Sequence, residues 1–266
     1  MTPTGRKYLG RKPTNSGGLG DRKLPENFGS RPLNSADGDL PAAEYDKDLA
    51  CGLRLTGETR EYFSRRRVAF LKARLEQRGS LVVRSILDFG CGTGETSLHL
   101  AEAFPGAAVD AIDAAASMVH EARSRFPGSP VRFEDAAWLA RERLHFDVIY
   151  VANVLHHVPR QERVQLIAAL SAMLTPAGAL AVFENNPWNP GTRAVMARVP
   201  FDDGVEPLSP LELARRLEHA GLRLLDRRTL FYFPRWLRWL RPLEPPLGWL
   251  PLGGQSYFLA QRQDVP

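Results

Sequence analysis

The rhythm of apolar and polar positions changes near Pro41 and again near Leu81. Between those points Tyr62, Phe63, Val68, Phe70, Leu71 and Leu75 recur at helical spacing. Arg65, Arg66, Arg67, Lys72 and Arg74 fall among them, which predicts an amphipathic helix over 58–79. An apolar run through 81–89 then breaks at Gly90-Cys91-Gly92-Thr93-Gly94 and predicts a buried strand entering a tight turn. Helices are expected from there to Phe104 and over Ser117–Phe126, Gln161–Leu174 and Pro210–Ala220. Their stops are Pro105-Gly106, Pro176 with Gly178, and Gly221. Strands are expected over Ala107–Ile112, Val131–Phe133, Phe146–Ala152, Ala179–Phe183, Leu222–Phe233 and Gln255–Arg262. This alternation predicts an α/β fold, a parallel sheet with helices on both faces.

Residues 1–40 follow neither rhythm. Rich in Gly, Pro, Asn, Ser and Lys, they offer too little apolar surface to offset their ordering entropy and are expected to form a disordered tail. The charge changes how that tail is read. The 266 residues carry 35 Lys plus Arg against 30 Asp plus Glu, a net charge of +5. Residues 1–35 hold seven basic groups (Arg6, Lys7, Arg11, Lys12, Arg22, Lys23, Arg31) and two acidic ones (Asp21, Glu26), so the remainder is formally neutral. The basicity therefore argues for an appendage and against a nucleic-acid-binding domain. Two cysteines make no disulfide framework, and no Cys/His cluster suggests zinc. With no apolar run of ~20 residues and no signal peptide in view, a cytoplasmic protein is expected.

The candidate chemistry centres on Ile86–Gly94. A strand, a glycine-rich turn and a helix allow close backbone approach to a ligand, with helix N–H groups facing it. A dinucleotide loop would need Gly at position 95, where Glu95 stands, and the Gly-Lys-Ser/Thr ending of a P-loop is absent. Asp88 precedes the turn; it repels phosphate and suits a cationic amino group.

These residues resemble the first motif of the class I S-adenosylmethionine-dependent methyltransferases, acid-x-Gly-x-Gly-x-Gly, at Asp88, Gly90, Gly92 and Gly94 with Cys91 inside it. Ala111-Ile112-Asp113, Phe133-Glu134-Asp135-Ala136 and Phe146–Val158 are similar to the family's next three motifs, in order, over 81–185. The resemblance implies S-adenosylmethionine as cofactor and a doubly wound Rossmann-like sheet of seven strands, the last antiparallel. Asp113 lies 19 residues past Gly94, a spacing suited to a ribose-binding carboxylate. Asp135 would accept from the adenine amino group and Ala136 N–H would reach a ring nitrogen. Gly90, Gly92 and Asn153 would face the methionine end. An N-terminal helical lid over 41–80 would bring Tyr62 and Phe63 over the cofactor, with Arg67 meeting its carboxylate.

The acceptor side is read from the end of strand five, Glu184-Asn185-Asn186-Pro187-Trp188-Asn189-Pro190. The Asn-Pro motif of amino-nucleobase methyltransferases looks similar but follows strand four, which argues against a DNA adenine enzyme. Glu184, Asn185, Asn186 and Trp188 are the expected acceptor-binding residues, with Tyr62 helping to orient the acceptor. His157 and Glu184 are the expected catalytic residues, since a hydroxyl acceptor needs a base within hydrogen-bond reach. Gly57–Phe63, the Glu184–Pro190 loop, Pro200-Phe201-Asp202-Asp203 and Leu252–Gln255 extend the resemblance, over 44–262, to bacterial small-molecule methyltransferases. Residues 234–253, rich in Trp, Leu and Pro, are expected to wall an apolar acceptor pocket or simply to pack on the core; a dimer contact and a membrane-surface anchor are the other readings.

The expectation is therefore one domain over 41–266, with its cofactor core at 81–185 and acceptor-side strands at 186–266. It would methylate an O, N or C atom of a small apolar or aromatic metabolite, in the manner of secondary metabolism, without a metal. The alternatives are an RNA or other macromolecule methyltransferase and a non-catalytic binding protein of the same fold. The sequence does not fix the oligomeric state.

Overall fold

The strand Ser85–Phe89 (β1) is buried along its whole length, so both its neighbours and both its faces must be covered. A computed structural model describes residues 41–79, 81–141 and 144–263 and shows how. The tail expected over 1–40 lies outside the described residues. β1 pairs in parallel with Ala108–Asp113 (β2) on one side and Phe146–Ala152 (β4) on the other. Val131–Asp135 (β3) adds to β2, and Leu174–Asn185 (β5) adds to β4, again in parallel. Leu222–Leu230 (β6) and Gln255–Arg262 (β7) complete a seven-stranded sheet of order β3-β2-β1-β4-β5-β7-β6, with β7 antiparallel to both neighbours.

The period of two sorts apolar side chains between two layers. Leu87, Phe89, Ile149, Val151, Leu180 and Val182 face helices Arg163–Ala172 and Pro210–His219, which bury Leu166, Ile167, Leu170, Leu213 and Leu217. Ile86, Val109, Ala111, Val148, Tyr150 and Phe183 face the other side, with Val68, Leu71 and Leu75 of Arg60–Arg78. We number the helices α1 (Ala42–Leu53), α2 (Arg60–Arg78), α3 (Glu95–Ala103), α4 (Ala116–Arg125), α5 (Ala136–Arg141), α6 (Arg163–Ala172), α7 (Pro190–Met196), α8 (Pro210–His219) and α9 (Glu244–Leu247). The expected lid at 41–80 is thus two helices. α2 belongs to the core layer, and only its first turns reach the open edge of the sheet.

Three differences from the sequence reading have local causes. Pro176 and Gly178 were expected to stop a helix, yet both lie inside β5. The pairing steps from Phe146↔Leu174 to Val148↔Ala179, and that irregularity absorbs the proline, which has no N–H for the ladder. α5 and α7 were not expected; each has fewer than two full turns, too short for a 3.6-residue period to register. The segment expected as strand to Phe233 leaves the sheet after Leu230, where Phe231 has φ +64°, a left-handed conformation that ends a ladder.

Arg163 ties α6 to the loops beside the open edge. Although only 2% exposed, it donates to the carbonyls of Val158 (2.8 Å), Glu206 (2.8 Å) and, at 3.4 Å, His156. An Arg163→Met substitution leaves those carbonyls without a donor and is expected to cost about 2–4 kcal/mol, read as a lower urea midpoint at unchanged slope.

Candidate active site

The carboxyl ends of β1, β2, β4 and β5 open on one edge, where loops gather around a cavity of about 460 Å³. Its floor is the glycine loop. Gly90 N and Cys91 N both donate to Ile112 O at 2.9 Å, turning the chain sharply after β1. Gly90 has φ +79°, and a Cβ there would sit 2.3 Å from Val154 Cγ2. Gly94 has φ +84°, and its Cβ would sit 2.7 Å from the Phe133 ring. Those two glycines let the loop nest between β3 and the β4 end. Gly90 and Gly92 both line the cavity, but the nearest neighbour of a Cβ at Gly92 is the flexible Arg60 Nη2 at 3.5 Å. Gly94 therefore serves packing, Gly90 both packing and lining, and Gly92 leaves room for a ligand.

Charged groups converge on that floor. Asp88 is buried and accepts from Ser97 Oγ at 2.6 Å. Burial raises it to about 7 despite the Ser97 hydroxyl, which pulls the other way. Arg67, from α2, donates to Tyr150 Oη (3.0 Å) and Gln255 Oε1 (3.2 Å) and makes no ion pair among the described residues. Burial raises the Tyr150 hydroxyl to about 12, so it is neutral and leaves the Arg67 charge uncompensated at contact. Gln255 Nε2 in turn donates to Asn153 Oδ1 (3.1 Å) and Asn185 Oδ1 (3.2 Å). One network thus brings Arg67, Asn153 and Asn185 together beside Asp88.

Aromatic and aliphatic groups form the opposite wall: Tyr62, Phe63, Phe231, Phe233, Trp236 and Met196 among them. Phe63 meets Phe231 edge-on with centroids 4.9 Å apart. Arg241 caps Tyr62, its guanidinium 4.7 Å from the ring centroid, and is paired with Glu58 at 2.8 Å. Arg60 bridges Asp46 of α1 (2.7 Å) and Thr93 of the glycine loop (2.8 Å), so α1 is fastened over the site.

Several expected site residues stand elsewhere. Glu184 was expected to meet the acceptor, but it is fully buried. Its Oε1 accepts from Val154 N (3.0 Å) and Leu155 N (2.7 Å), and its Oε2 lies 2.6 Å from His156 Nδ1. Both oxygens are engaged, so it holds the loop and does not face the cavity. His157, expected as a base, does not line the cavity either. Burial and the neighbouring His156 push it well below its ordinary value. Asn186 is also fully buried, donating to Pro251 O (3.0 Å) and Gly253 O (2.8 Å), and Trp188 is exposed and does not line the cavity. Of that loop, Asn185 and Asn189 reach the lining.

Asp113 and Asp135 are register partners at the ends of β2 and β3. Asp113 accepts from Gly92 N (2.8 Å) and Ala115 N (3.0 Å); Asp135 accepts from Trp138 N (2.8 Å) at the start of α5, and Ala136 is buried beside it. They adjoin the cavity without lining it, because Ala42 and Tyr45 of α1 pack on Ala115 and Met118 at this end.

Asp202, on the turn Pro200–Asp202, does line the cavity. Its Oδ1 lies 3.6 Å from His156 Nε2 and 3.7 Å from His157 Nε2. Sequence reasoning singled out Asp202 only within the Pro-Phe-Asp-Asp quartet. Tyr45 and Phe231 were missed altogether, while Arg60 and Arg241 lay inside the Gly57–Phe63 motif and the 234–253 segment without being singled out as site residues.

Residues 86–178 match a family described as a methyltransferase domain. The chain is 35% identical over 200 residues to trans-aconitate 2-methyltransferase of Variovorax paradoxus (strain S110), across 67% of this chain and 75% of that protein. It is 36% identical over 125 residues to trans-aconitate 2-methyltransferase of Paracidovorax citrulli (strain AAC00-1), across 45% of this chain. There the match spans about half the relative's length, 47%. Among solved structures, the CcbJ methyltransferase from Streptomyces caelestis has the same fold, with a TM-score of 0.55 at 17% identity over 78% of this chain and 98% of that one.

His156 supplies a pH-dependent element. Burial alone would lower it, but Glu184 and Asp202 outweigh burial and raise it to about 9. A histidine raised in the folded state stabilises fully below its unfolded value, near 6.5, and loses that contribution as pH climbs through 9. Unfolding free energy is therefore expected to fall between pH 7 and 9.5, by on the order of 3 kcal/mol. A His156→Gln variant, less stable at pH 7, is expected to lose that slope in urea titrations.

Proposed function

Because the chain belongs to the class I S-adenosylmethionine-dependent methyltransferases, we propose that it methylates an O, N or C nucleophile of a small apolar or aromatic molecule. The observation that carries this reading is the two-ended cavity, with a glycine loop and polar charges at one end and an aromatic wall at the other. The cofactor end fits its ligand: Gly92 is open to the cavity, and Arg67 is a buried cation without an ion-pair partner among the described residues. When bound, S-adenosylmethionine supplies a sulfonium methyl, which forms a bond to the acceptor as the S–CH3 bond breaks, leaving S-adenosylhomocysteine.

Arg67 holds the amino-acid carboxylate and Asp88 the ammonium, while Asn153 and Asn185, oriented by Gln255, fix the backbone of that end. Asp113, Asp135 and Ala136 take the adenosine, which requires α1 to shift from Ala115 and Met118. Tyr62, Phe63 and Phe231 flank the acceptor and exclude water, so orientation does most of the catalysis. Asp202 takes the acceptor's proton, and the Glu184–His156 pair behind it keeps its position. This reading moves the proton-accepting role from His157 and Glu184 to their cavity-facing neighbour.

A carboxylate acceptor, as the relatives' name describes, is the second reading, favoured by Arg60, Arg67 and Arg241 around the cavity. Two of those cations already have partners, Asp46 and Glu58, and Glu58, Asp88 and Asp202 also line the cavity. The charges roughly cancel, and the apolar wall decides. Turnover of labelled cofactor with a panel of phenols and aryl amines is expected to exceed that with trans-aconitate at least ~10-fold in kcat/KM. A preference for trans-aconitate would overturn the acceptor reading. Asp202→Asn is expected to lower kcat by ~100-fold or more with cofactor affinity unchanged.

Asp88 predicts the pH dependence of cofactor binding. A carboxyl near 7 must lose its proton to pair with an ammonium. Affinity measured by calorimetry is thus expected to fall up to ~10-fold per unit below pH 7, to peak between about 7 and 8, and to decline above about 8, where the ligand's own α-ammonium loses its proton. Asp88→Asn is expected to bind more weakly with no such slope.

A further inference from the structure

The excursion from 231 to 254 joins β6 to β7 at the edge that carries the cavity, and it opens with the 3-10 helix Arg235–Leu243. None of that helix is buried. Trp236, Trp239 and Trp249 are 70%, 71% and 69% exposed, and Leu243, Leu250 and Leu252 are about half exposed. The helix is kinked at Leu237 (φ −106°, ψ 21°), and Trp236 and Trp239, on either side of the kink, line one outer cleft with Gly57, Arg235 and Arg238. Trp249, farther along the excursion, carries the Arg228 guanidinium on one ring face at 3.3 Å and leaves the rest of the ring in water. Indoles exposed in such number mark a surface built to be covered.

The charges say by what. Arg235 and Arg238 are exposed beside the tryptophans and make no ion pair among the described residues, whereas Arg241 turns inward to Glu58. The segment's single acid, Glu244, also turns inward, accepting from Tyr232 N and Phe233 N at 3.1 Å each. The exposed patch is therefore apolar and cationic with no carboxylate. Two copies meeting through it would set arginine against arginine. An anionic surface would not.

We propose that this face docks on an anionic lipid bilayer, with Trp236, Trp239, Trp249 and the leucines at headgroup depth and Arg235 and Arg238 on the phosphates. Trp and Arg are the side chains that suit an interface, with amphipathic rings and stems that reach phosphate. No helix among the described residues is long and apolar enough to cross a membrane, so the contact is peripheral. Prolines 242, 245 and 246 hold the segment in shape before it binds. Trp236 lines both the cavity and an outer cleft formed with Gly57, Arg235, Arg238 and Trp239, so the docked face adjoins the cavity mouth. The docking stands whatever the acceptor proves to be.

The test is flotation of the full chain with vesicles of phosphatidylcholine alone and of equimolar phosphatidylcholine and phosphatidylglycerol. The protein is expected to float with the mixed vesicles, with a blue shift in tryptophan emission, and to stay behind with phosphatidylcholine alone. The triple variant W239S/L243S/L252S, at unchanged melting temperature, is expected to lose at least ~10-fold in partitioning. Arg235→Glu with Arg238→Glu is expected to lose as much at low salt and little at high salt. The proposal is overturned if the wild-type chain does not float with the mixed vesicles. Equal flotation of the triple variant overturns it too, since binding would then belong to basic residues elsewhere. Self-association in solution that the triple variant abolishes would assign the face to a second copy instead.

Discussion

The open edge of the sheet depends on one buried carboxylate. Glu184, at the end of β5, accepts from two consecutive backbone N–H groups after β4 and from His156. Those N–H groups belong to a chain that has just turned through Asn153 at φ +57°, a conformation that leaves them pointing away from any ladder. Without an acceptor they would be buried donors with no partner, and the turn would open. With Glu184 in place, Val154 is pressed against Gly90, and the glycine loop can only follow the path it takes. The interlock runs from β5 through the β4 loop to the β1 loop, so the site's floor is a consequence of a group that never touches it.

Above that floor, the balance of buried charge decides what can bind. Arg67 has only neutral hydrogen-bond partners, Tyr150 and Gln255, while the nearby Asp88 is held near neutrality by burial. A buried cation with no counter-charge at contact is costly, and so is a carboxylate stripped of water. A zwitterion entering between them relieves both at once: its carboxylate meets the guanidinium and its ammonium the acid. A neutral or purely anionic ligand relieves one and leaves the other. Under the proposed function, selectivity for an amino-acid end group would arise from these two desolvation costs of opposite sign rather than from shape.

Much of this was legible in the chain, and the boundary between what was and was not is physical. β1, β4 and β7 were visible because continuous or alternating apolar runs admit no other burial, Gly90 and Gly92 because a sharp turn needs residues without Cβ, and Asp88 as the acid that precedes that turn. The antiparallel placement of β7 came from the family resemblance and not from any period. The site was legible wherever its residues were consecutive. It was not legible where the cavity is closed by Tyr45, Arg60, Asp202, Phe231 and Arg241, which come from segments far apart in sequence. Glu184 and Asp202 show the limit well. Both are acids near histidines, and a chain read linearly favours the one beside a conspicuous loop. Only the fold reveals that Glu184 faces inward to backbone donors while its neighbour faces the cavity.

The same limit applies to 234–253. Its composition allows a pocket wall, a self-contact or an interface, since tryptophan, leucine and proline serve all three. What separates them is which atoms are left in water. Trp236 and Arg241 line the cavity, so part of the segment is turned inward. Trp239 and Trp249 do not line it and stay about 70% exposed, although the Arg228 guanidinium of β6 stacks on one face of Trp249 at 3.3 Å. Packing alone accounts for an apolar residue turned inward; it gives no reason to keep indoles outward on a short helix stiffened by proline. In the docking proposed above, the exposed aromatics and arginines would meet a surface outside the chain, beside the mouth of the cavity.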